Sequence, residues 1–125
     1  MYQQLVMNPL QSTLRLIEDF DVNNDRFQKS IKIFRRSPYG YRILLEIMRG
    51  HYLLTEEKIT IEYLSKVVQH LASRITVNNF LKEILQIKLV ENHHDPQDGR
   101  LKIIKPSDFL VKDYEQWVKI VFSDG

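Results

Sequence analysis

The chain has 125 residues, enough for one domain with a substantial core and too few for two ordinary domains. It is 43% hydrophobic and 27% charged, a balance typical of soluble globular proteins, and it contains no cysteine, which excludes disulfides, thiolate zinc sites and thiol redox chemistry. The net charge of +2 is too small to indicate a nucleic-acid partner by itself.

The first ten residues, MYQQLVMNPL, contain neither a basic segment nor a long apolar core, so we expect no secretory signal peptide in them. No apolar run in the rest of the sequence is long enough to cross a bilayer. We therefore expect a cytoplasmic protein that has no membrane partner.

Residues 8–36 are predicted to form two helices. Asn8 caps the first helix and Pro9 occupies its first turn, a pairing that favours a helix start. The polar stretch DVNND at 21–25 is expected to separate the two helices, and the alternative is one bent helix, since no Gly or Pro lies between them. The first helix has one apolar face with helical spacing, formed by Leu10, Leu14 and Ile17.

Two further helices are predicted between residues 38 and 71. Ser37 caps the third helix, Pro38 lies in its first turn, and Gly50 is expected to end it. Thr60 caps the fourth helix. Apolar residues recur at three- and four-residue spacing in both, so we expect both helices to pack into the core.

The stretch from Ala72 to Lys105 is predicted to be a helix followed by a β-hairpin. Ser73 caps the helix, and DPQDGR at 95–100 is typical of a turn because of its Pro, Asp and Gly content. Short apolar segments at 89–90 and 101–103 indicate the two strands. The helix has one apolar face, formed by Val77, Leu81, Ile84 and Leu85. A helix followed by a hairpin with a basic tip is the DNA-reading part of a winged helix-turn-helix.

A last helix is predicted at 107–122, after Pro106. Its apolar stripe and that of the first helix exceed what one small lobe can cover, so we predict that they form the interface of a two-fold homodimer. The residues assigned to this interface are Leu10, Leu14, Ile17, Leu110, Tyr114, Trp117 and Val121.

The predicted fold class is mainly α with a small β-hairpin wing, an α+β winged helix-turn-helix with terminal dimerisation helices. We expect a single domain over residues 1–125. It comprises an N-terminal helical segment at 8–36, a winged helix-turn-helix core at 38–105 and a C-terminal helix at 107–122.

The element order and the residues from 60 to 107 resemble the MarR family of bacterial transcription regulators. The matching segments are a Thr-capped helix at 60–71, Ser-Arg-Ile-Thr-Val at 73–77, Leu-Val at 89–90 and the wing motif Asp-Pro-Gln-Asp-Gly-Arg at 95–100. The wing motif is the specific part of the resemblance. Helix order alone would fit many helix-turn-helix proteins.

The sequence departs from the family pattern at three places. Gly99 stands where the family often has a second Arg, and Lys88 stands where it often has Gly. The C-terminal region has one helix where most members have two, a brevity shared with small relatives of the SarA type. The resemblance implies a homodimer on a pseudo-palindromic operator in double-stranded DNA, and a small aromatic effector that binds between the dimer helices and the DNA-binding lobe.

The candidate DNA contacts lie on a recognition helix at 73–87 and on a wing at 93–102. Asn pairs with adenine in the major groove and Thr contacts a thymine methyl or a base edge, whereas the start of a helix suits phosphate. The helix candidates are Ser73, Arg74, Thr76, Asn78, Asn79 and Lys82. The alternative for this helix is an ordinary solvated face.

In the wing, Arg100 is the sharpest candidate because a guanidinium is attracted to a narrow minor groove. In the family, the residue matching Asp98 accepts a hydrogen bond from this arginine and points it outward. His94 and Lys102 complete the wing candidates. The alternative is a surface ion pair on a hairpin turn.

No catalytic constellation is present, and we expect neither enzymatic activity nor a cofactor. Neighbouring residues of a strand point to opposite faces, so His93 and His94 cannot easily share a metal ion, and no metal site is predicted. His51 and His70 are too scattered to help.

A protein-interaction module is the alternative function, because winged helices also dock protein partners. Five aromatic residues could line an effector pocket or belong to the core: Phe20, Phe27, Phe34, Tyr41 and Tyr52.

Overall fold

The computed structural model describes residues 8–25, 29–53 and 58–122. Within these ranges the chain forms six helices and one two-stranded antiparallel sheet, which confirms the predicted α+β class with a hairpin wing. The elements are α1 (Pro9–Asp25), α2 (Lys29–Arg35), α3 (Pro38–Leu53), α4 (Ile61–Val67), α5 (Arg74–Gln86), β1 (Val90–His94), β2 (Lys102–Pro106) and α6 (Asp108–Phe122). No helix in the described ranges is long and apolar enough to cross a membrane.

The first helix begins where the sequence predicts and extends further than expected. Asn8 Oδ1 accepts from the Gln11 amide at 2.8 Å, so Asn8 caps α1. The helix continues through the polar stretch 21–25, and the expected break there is wrong. Polar residues lower helix propensity only slightly, and no Gly or Pro interrupts the stretch. Phe27 and the side chain of Phe20 lie outside the described residues.

Gly50 lies inside α3 and does not end it, contrary to the sequence-based expectation, since the helix continues to Leu53. A Cβ at Gly50 would lie 2.6 Å from Ile59 Cγ1, closer than real atoms approach. The glycine therefore allows the segment before α4 to pack directly against α3. The predicted start of α3 is confirmed, because Ser37 Oγ accepts from the Gly40 amide at 3.1 Å.

The core lies between α2, α3, α4, α5 and α6 and the inner face of the hairpin. Phe80 of α5 contacts Phe34 and Tyr39 edge to face, with ring centroids 5.6 and 5.7 Å apart. This contact fixes α5 on α2 and on the start of α3. The largest fully buried side chains include Ile31, Phe34, Ile43, Leu44, Ile47, Leu64, Leu81, Ile84 and Leu110.

A buried carboxylate connects α3 to α4. The Arg49 guanidinium and the Tyr63 hydroxyl each donate to Glu46 Oε1 at 2.7 Å, and Arg42 pairs with Oε2. Burial alone would raise the pKa of Glu46, but these hydrogen bonds and charges together outweigh it and lower the pKa. Glu46 is therefore ionised at neutral pH and sets the position of α4 relative to α3.

The hairpin pairs Val90 with Pro106 at its base and His94 with Lys102 near its tip. Val90 and Ile104 are buried against the core, whereas most of the other strand residues are exposed. The Ile104 amide donates to the Ile59 carbonyl at 2.8 Å. The segment before α4 is thus attached to the hairpin, and it supports the base of the wing.

The last helix faces inward more than the sequence analysis expected. Leu110 is fully buried and Trp117 is 5% exposed within this one chain, so their assignment to an exposed dimer face is corrected. Both pack into the core, and Tyr114 and Val121 are half-buried beside it. On α1, by contrast, the residues assigned to the interface remain more than half exposed: Leu10, Leu14 and Ile17.

Candidate nucleic-acid interface

The outer face of α5 lies opposite the residues that anchor the helix. Ser73 Oγ accepts from the Thr76 amide at 3.2 Å, which confirms the predicted cap. The buried side consists of Val77, Phe80, Leu81 and Ile84. Four exposed residues recur at three- and four-residue spacing on the opposite side: Ile75, Asn79, Lys82 and Gln86. Asn79 and Lys82 are predicted contacts, whereas Ile75 and Gln86 were missed.

The flanks of α5 hold two other predicted contacts in less open positions. Thr76 is half-buried and lines a shallow groove with Arg36, Asn79 and Glu83. Asn78 is half-buried on the other flank, and among the described residues its Oδ1 is buried without a hydrogen-bond partner. The expectation that Asn78 lies on the open face is therefore wrong.

Two arginines flank the outer face of α5, and each is held by a carboxylate. Arg74, a predicted phosphate contact, is paired with Glu62 of α4, and this hydrogen bond holds the pKa of Glu62 below its usual range. Arg36 Nη2 lies 2.8 Å from Glu83 Oε2 on the opposite flank. Both pairs are exposed, and exposed ion pairs are weak because water competes for both partners. Each guanidinium can exchange its carboxylate for another anion at little cost.

The turn end of the wing is held by a residue to which the sequence assigned no functional role. Asp95, the first residue of the wing motif, is 4% exposed and pairs with Lys58 Nζ at 2.5 Å. Its carboxylate also accepts from the Gln97 amide, and its own amide donates to the Leu101 carbonyl. The Lys58 hydrogen bond holds the pKa of Asp95 below its usual range.

Arg100 projects from the tip of the wing, with 96% of its side chain exposed. Its Nε lies 3.8 Å from Asp98 Oδ1, too far for a hydrogen bond. The same Asp98 oxygen accepts from the Arg100 amide at 3.1 Å. Asp98 therefore orders the backbone of the turn more than it orients the guanidinium.

The histidines of β1 point to opposite faces of the hairpin. His94 shares a face with its partner Lys102, and its Nδ1 lies 2.7 Å from the Gly99 carbonyl oxygen. His93 lies on the other face, with Nε2 3.0 Å from Glu91 Oε1. Lys102 and His94 thus lie together near the wing tip. Among the described residues, no group of three His, Asp or Glu side chains is arranged to hold a metal ion.

No protein-family model and no curated protein sequence matches this chain. Solved structures do match. MepR of S. aureus in complex with DNA has a TM-score of 0.61 and 19% identity, over 86% of this chain and 70% of the other. MepR bound to ethidium bromide has a TM-score of 0.60 and 18% identity, with 92% and 75% covered. Wild-type apo MarR from E. coli has a TM-score of 0.54 and 21% identity, with 95% and 81% covered.

At this level of identity the similarity concerns the fold. The chain has the winged helix-turn-helix fold of the MarR-type regulators, as the wing motif predicts.

Proposed function

We propose that this protein is a sequence-specific, double-stranded-DNA-binding transcriptional regulator of the MarR type, without enzymatic activity, acting in the cytoplasm. The observation that carries the proposal is the combination of an exposed polar helix face with an arginine that projects almost fully from an adjacent hairpin tip. A helix fits the major groove, and a hairpin tip reaches the neighbouring minor groove. The proposal that this chain binds DNA is also supported by MepR, which has the same fold and forms a complex with DNA.

In the proposed complex, α5 supplies the base contacts. Asn79 is exposed on the outer face, where its amide can pair with the N6 and N7 atoms of adenine. Lys82 lies one turn further along the same face. Arg74 and Arg36 each leave their carboxylate and pair with a phosphate of the DNA backbone on their side of the groove. The backbone amides at the start of α5 bind phosphate as well.

The wing supplies charge. Arg100 enters the minor groove, and Lys102 and His94 lie behind it near the backbone. Narrow A·T-rich minor grooves carry enhanced negative potential, so this contact favours such sequences without reading individual bases. Asp95 and Lys58 support this contact by fixing the turn end of the hairpin.

We further propose that the protein binds DNA as a homodimer. The apolar face of α1 supports this proposal, because Leu10 is 67%, Leu14 56% and Ile17 52% exposed. Phe122, near the end of α6, is 70% exposed and extends the exposed apolar surface, since α6 packs against α1. A two-fold dimer requires a pseudo-palindromic operator with half-sites about one helical turn apart. Sedimentation equilibrium at micromolar concentration tests this, and a monomer would contradict it.

A small aromatic effector is a second proposal. Tyr41 contacts Trp117 and Tyr52 contacts Tyr114, so these aromatic side chains form a partly exposed row between α3 and α6. Phe34 is fully buried in the core and is removed from the predicted pocket. MepR binds ethidium. Because the chain has a single tryptophan, quenching of its fluorescence by ethidium tests the proposal, and an unchanged spectrum contradicts it.

The experiment that tests DNA binding is a titration of duplex DNA at several salt concentrations. A protein that neutralises phosphates releases counterions, so its affinity falls steeply and linearly on a log–log plot against salt. We expect the affinity for a selected duplex to fall in this way. The affinity for a scrambled duplex should be lower and should depend on salt to the same degree. A flat response would favour the alternative, a winged helix that docks a protein partner.

A further inference from the structure

Ile75 is an apolar residue in the first turn of α5, and packing within the chain does not explain it. Its 73% exposure exceeds that of the other large hydrophobic residues in the described ranges. It lies on the side of α5 opposite Ile84, which is fully buried. A β-branched residue is also a poorer helix former than the common polar residues of exposed helix faces.

The surroundings of Ile75 indicate what it contacts. Asn79 and Lys82 follow it at four and seven residues, so the three side chains project from the same side of α5. Arg74 precedes it, and its guanidinium is exposed. An apolar side chain within a polar and basic face suits a ligand that is anionic as a whole and offers a local apolar group.

Duplex DNA offers such a group in the major groove. Each thymine presents its C5-methyl there, next to hydrogen-bonding edges, and apolar side chains contact it. Cytosine presents a hydrogen at that carbon, and uracil differs from thymine by this methyl group alone. We propose that Ile75 recognises a thymine in each half-site by contact with its C5-methyl group. This inference rests on the proposed function, since it requires α5 to lie in the major groove.

The test removes one methyl group at a time from DNA. A duplex selected by the wild-type protein from a random-sequence pool is resynthesised with single thymidines replaced by deoxyuridine. We expect one position in each half-site at which this replacement weakens wild-type binding roughly fourfold, the factor that corresponds to one buried CH₂ group. Replacing the other thymidines beneath the recognition helix by deoxyuridine should leave the affinity unchanged.

Three variants assign this sensitivity to Ile75. Ile75→Ala should bind the thymidine and deoxyuridine duplexes equally, because the contact to the methyl group is lost. Ile75→Val retains a branched apolar side chain and should retain the sensitivity. Ile87→Ala, which truncates an exposed residue just after α5, should behave as wild type does.

The outcomes separate this inference from the proposed function. Specific binding to the selected duplex without any deoxyuridine-sensitive position overturns the role of Ile75 and leaves the proposed function standing. If the Ile75→Ala variant is as sensitive to deoxyuridine as wild type is, the role of Ile75 is likewise overturned and the proposed function stands. The methyl group then acts through DNA shape and not through contact with Ile75. Failure to select any duplex, or equal binding to selected and scrambled duplexes, overturns both.

Discussion

The recognition helix and the wing hold their cations in different ways. Arg74 on α5 is tied to Glu62, and the helix beneath it is fixed by four buried side chains. Arg100 at the wing tip has almost no contact with the rest of the protein. If the protein binds DNA as proposed, this difference predicts that the fixed helix provides most of the sequence specificity and that the exposed charge of the wing provides mainly affinity.

The largest expected effect comes from removing the support of the helix. Phe80→Ala deletes the aromatic contacts to Phe34 and Tyr39 and leaves a cavity, so the free energy of unfolding should fall by about 3–5 kcal/mol. Arg100→Ala, in contrast, should leave it unchanged. Urea denaturation of both variants measures the difference. Equal stabilities would contradict the picture of a packed helix and an unsupported tip.

The ion pair that holds the turn end of the wing should respond to pH. Lys58 holds the folded-state pKa of Asp95 below its ordinary value of 3.8, so the ionised carboxylate stabilises the fold above that value. This stabilisation is lost as the pH falls through the lowered pKa. Asp95→Asn should therefore melt below wild type at neutral pH, and the gap between the two melting temperatures should close below pH 3.8. A gap that persists in acid would contradict the assigned charge.

The junction between the helix and the wing contains a backbone strain that can be relieved. Lys88 has a φ of 65°, and the Leu89 and Lys88 amides donate to the Ile84 and Leu85 carbonyls, the pattern of a Schellman motif that normally has Gly at this position. Lys88→Gly should raise the free energy of unfolding by about 1 kcal/mol. Lys88→Ala removes the same charge without relieving the strain, and it should give no gain.

The smallest expected effect concerns the carboxylate that holds Arg74. Glu62→Gln weakens this hold and removes a negative charge beside the proposed DNA, so affinity should rise a few-fold on selected and scrambled duplexes alike. Glu115→Gln makes the same charge change on α6 and serves as the matched control, since salt screens distant charges. Equal effects of the two changes would mean that Arg74 is not released onto phosphate.

Part of the fold could be predicted because it depends on residues that are close together in the sequence. Ser37 and Ser73 could be predicted as helix caps because a cap depends only on neighbouring backbone amides, and both caps are present. The wing motif predicted the hairpin for a similar reason. Gly50 was misinterpreted because its role depends on Ile59, which approaches from another segment.

The rotation of α5 about its axis was harder to predict. The apolar face predicted from the sequence includes Leu85 and omits Phe80, which is buried against Phe34 and Tyr39. With Phe80 inside, Asn78 moves to a flank and Ile75 to the centre of the outer face. Contacts with other elements decide this rotation, among them those of Phe80 with α2 and α3. Trp117 was misplaced for the same reason, because burial against distant helices leaves no local pattern.

The central claim is that the helix reads sequence and the wing supplies charge. It is tested most directly by titrating Arg100→Ala and Asn79→Ala against a selected and a scrambled duplex at two or more salt concentrations. Lys119→Ala on α6 is the control for the loss of one positive charge. All three changes affect exposed side chains and should leave the melting temperature near that of wild type.

Arg100→Ala should weaken binding to both duplexes, most where the minor groove is A·T-rich, and should reduce the log–log salt slope by about one. The Asn79→Ala variant should have the same log–log salt slope as wild type. Its discrimination between the preferred base and the others at one base pair should fall by about 1–3 kcal/mol. If Arg100→Ala binds both duplexes as well as wild type does, the wing does not contact DNA and the proposed division is contradicted.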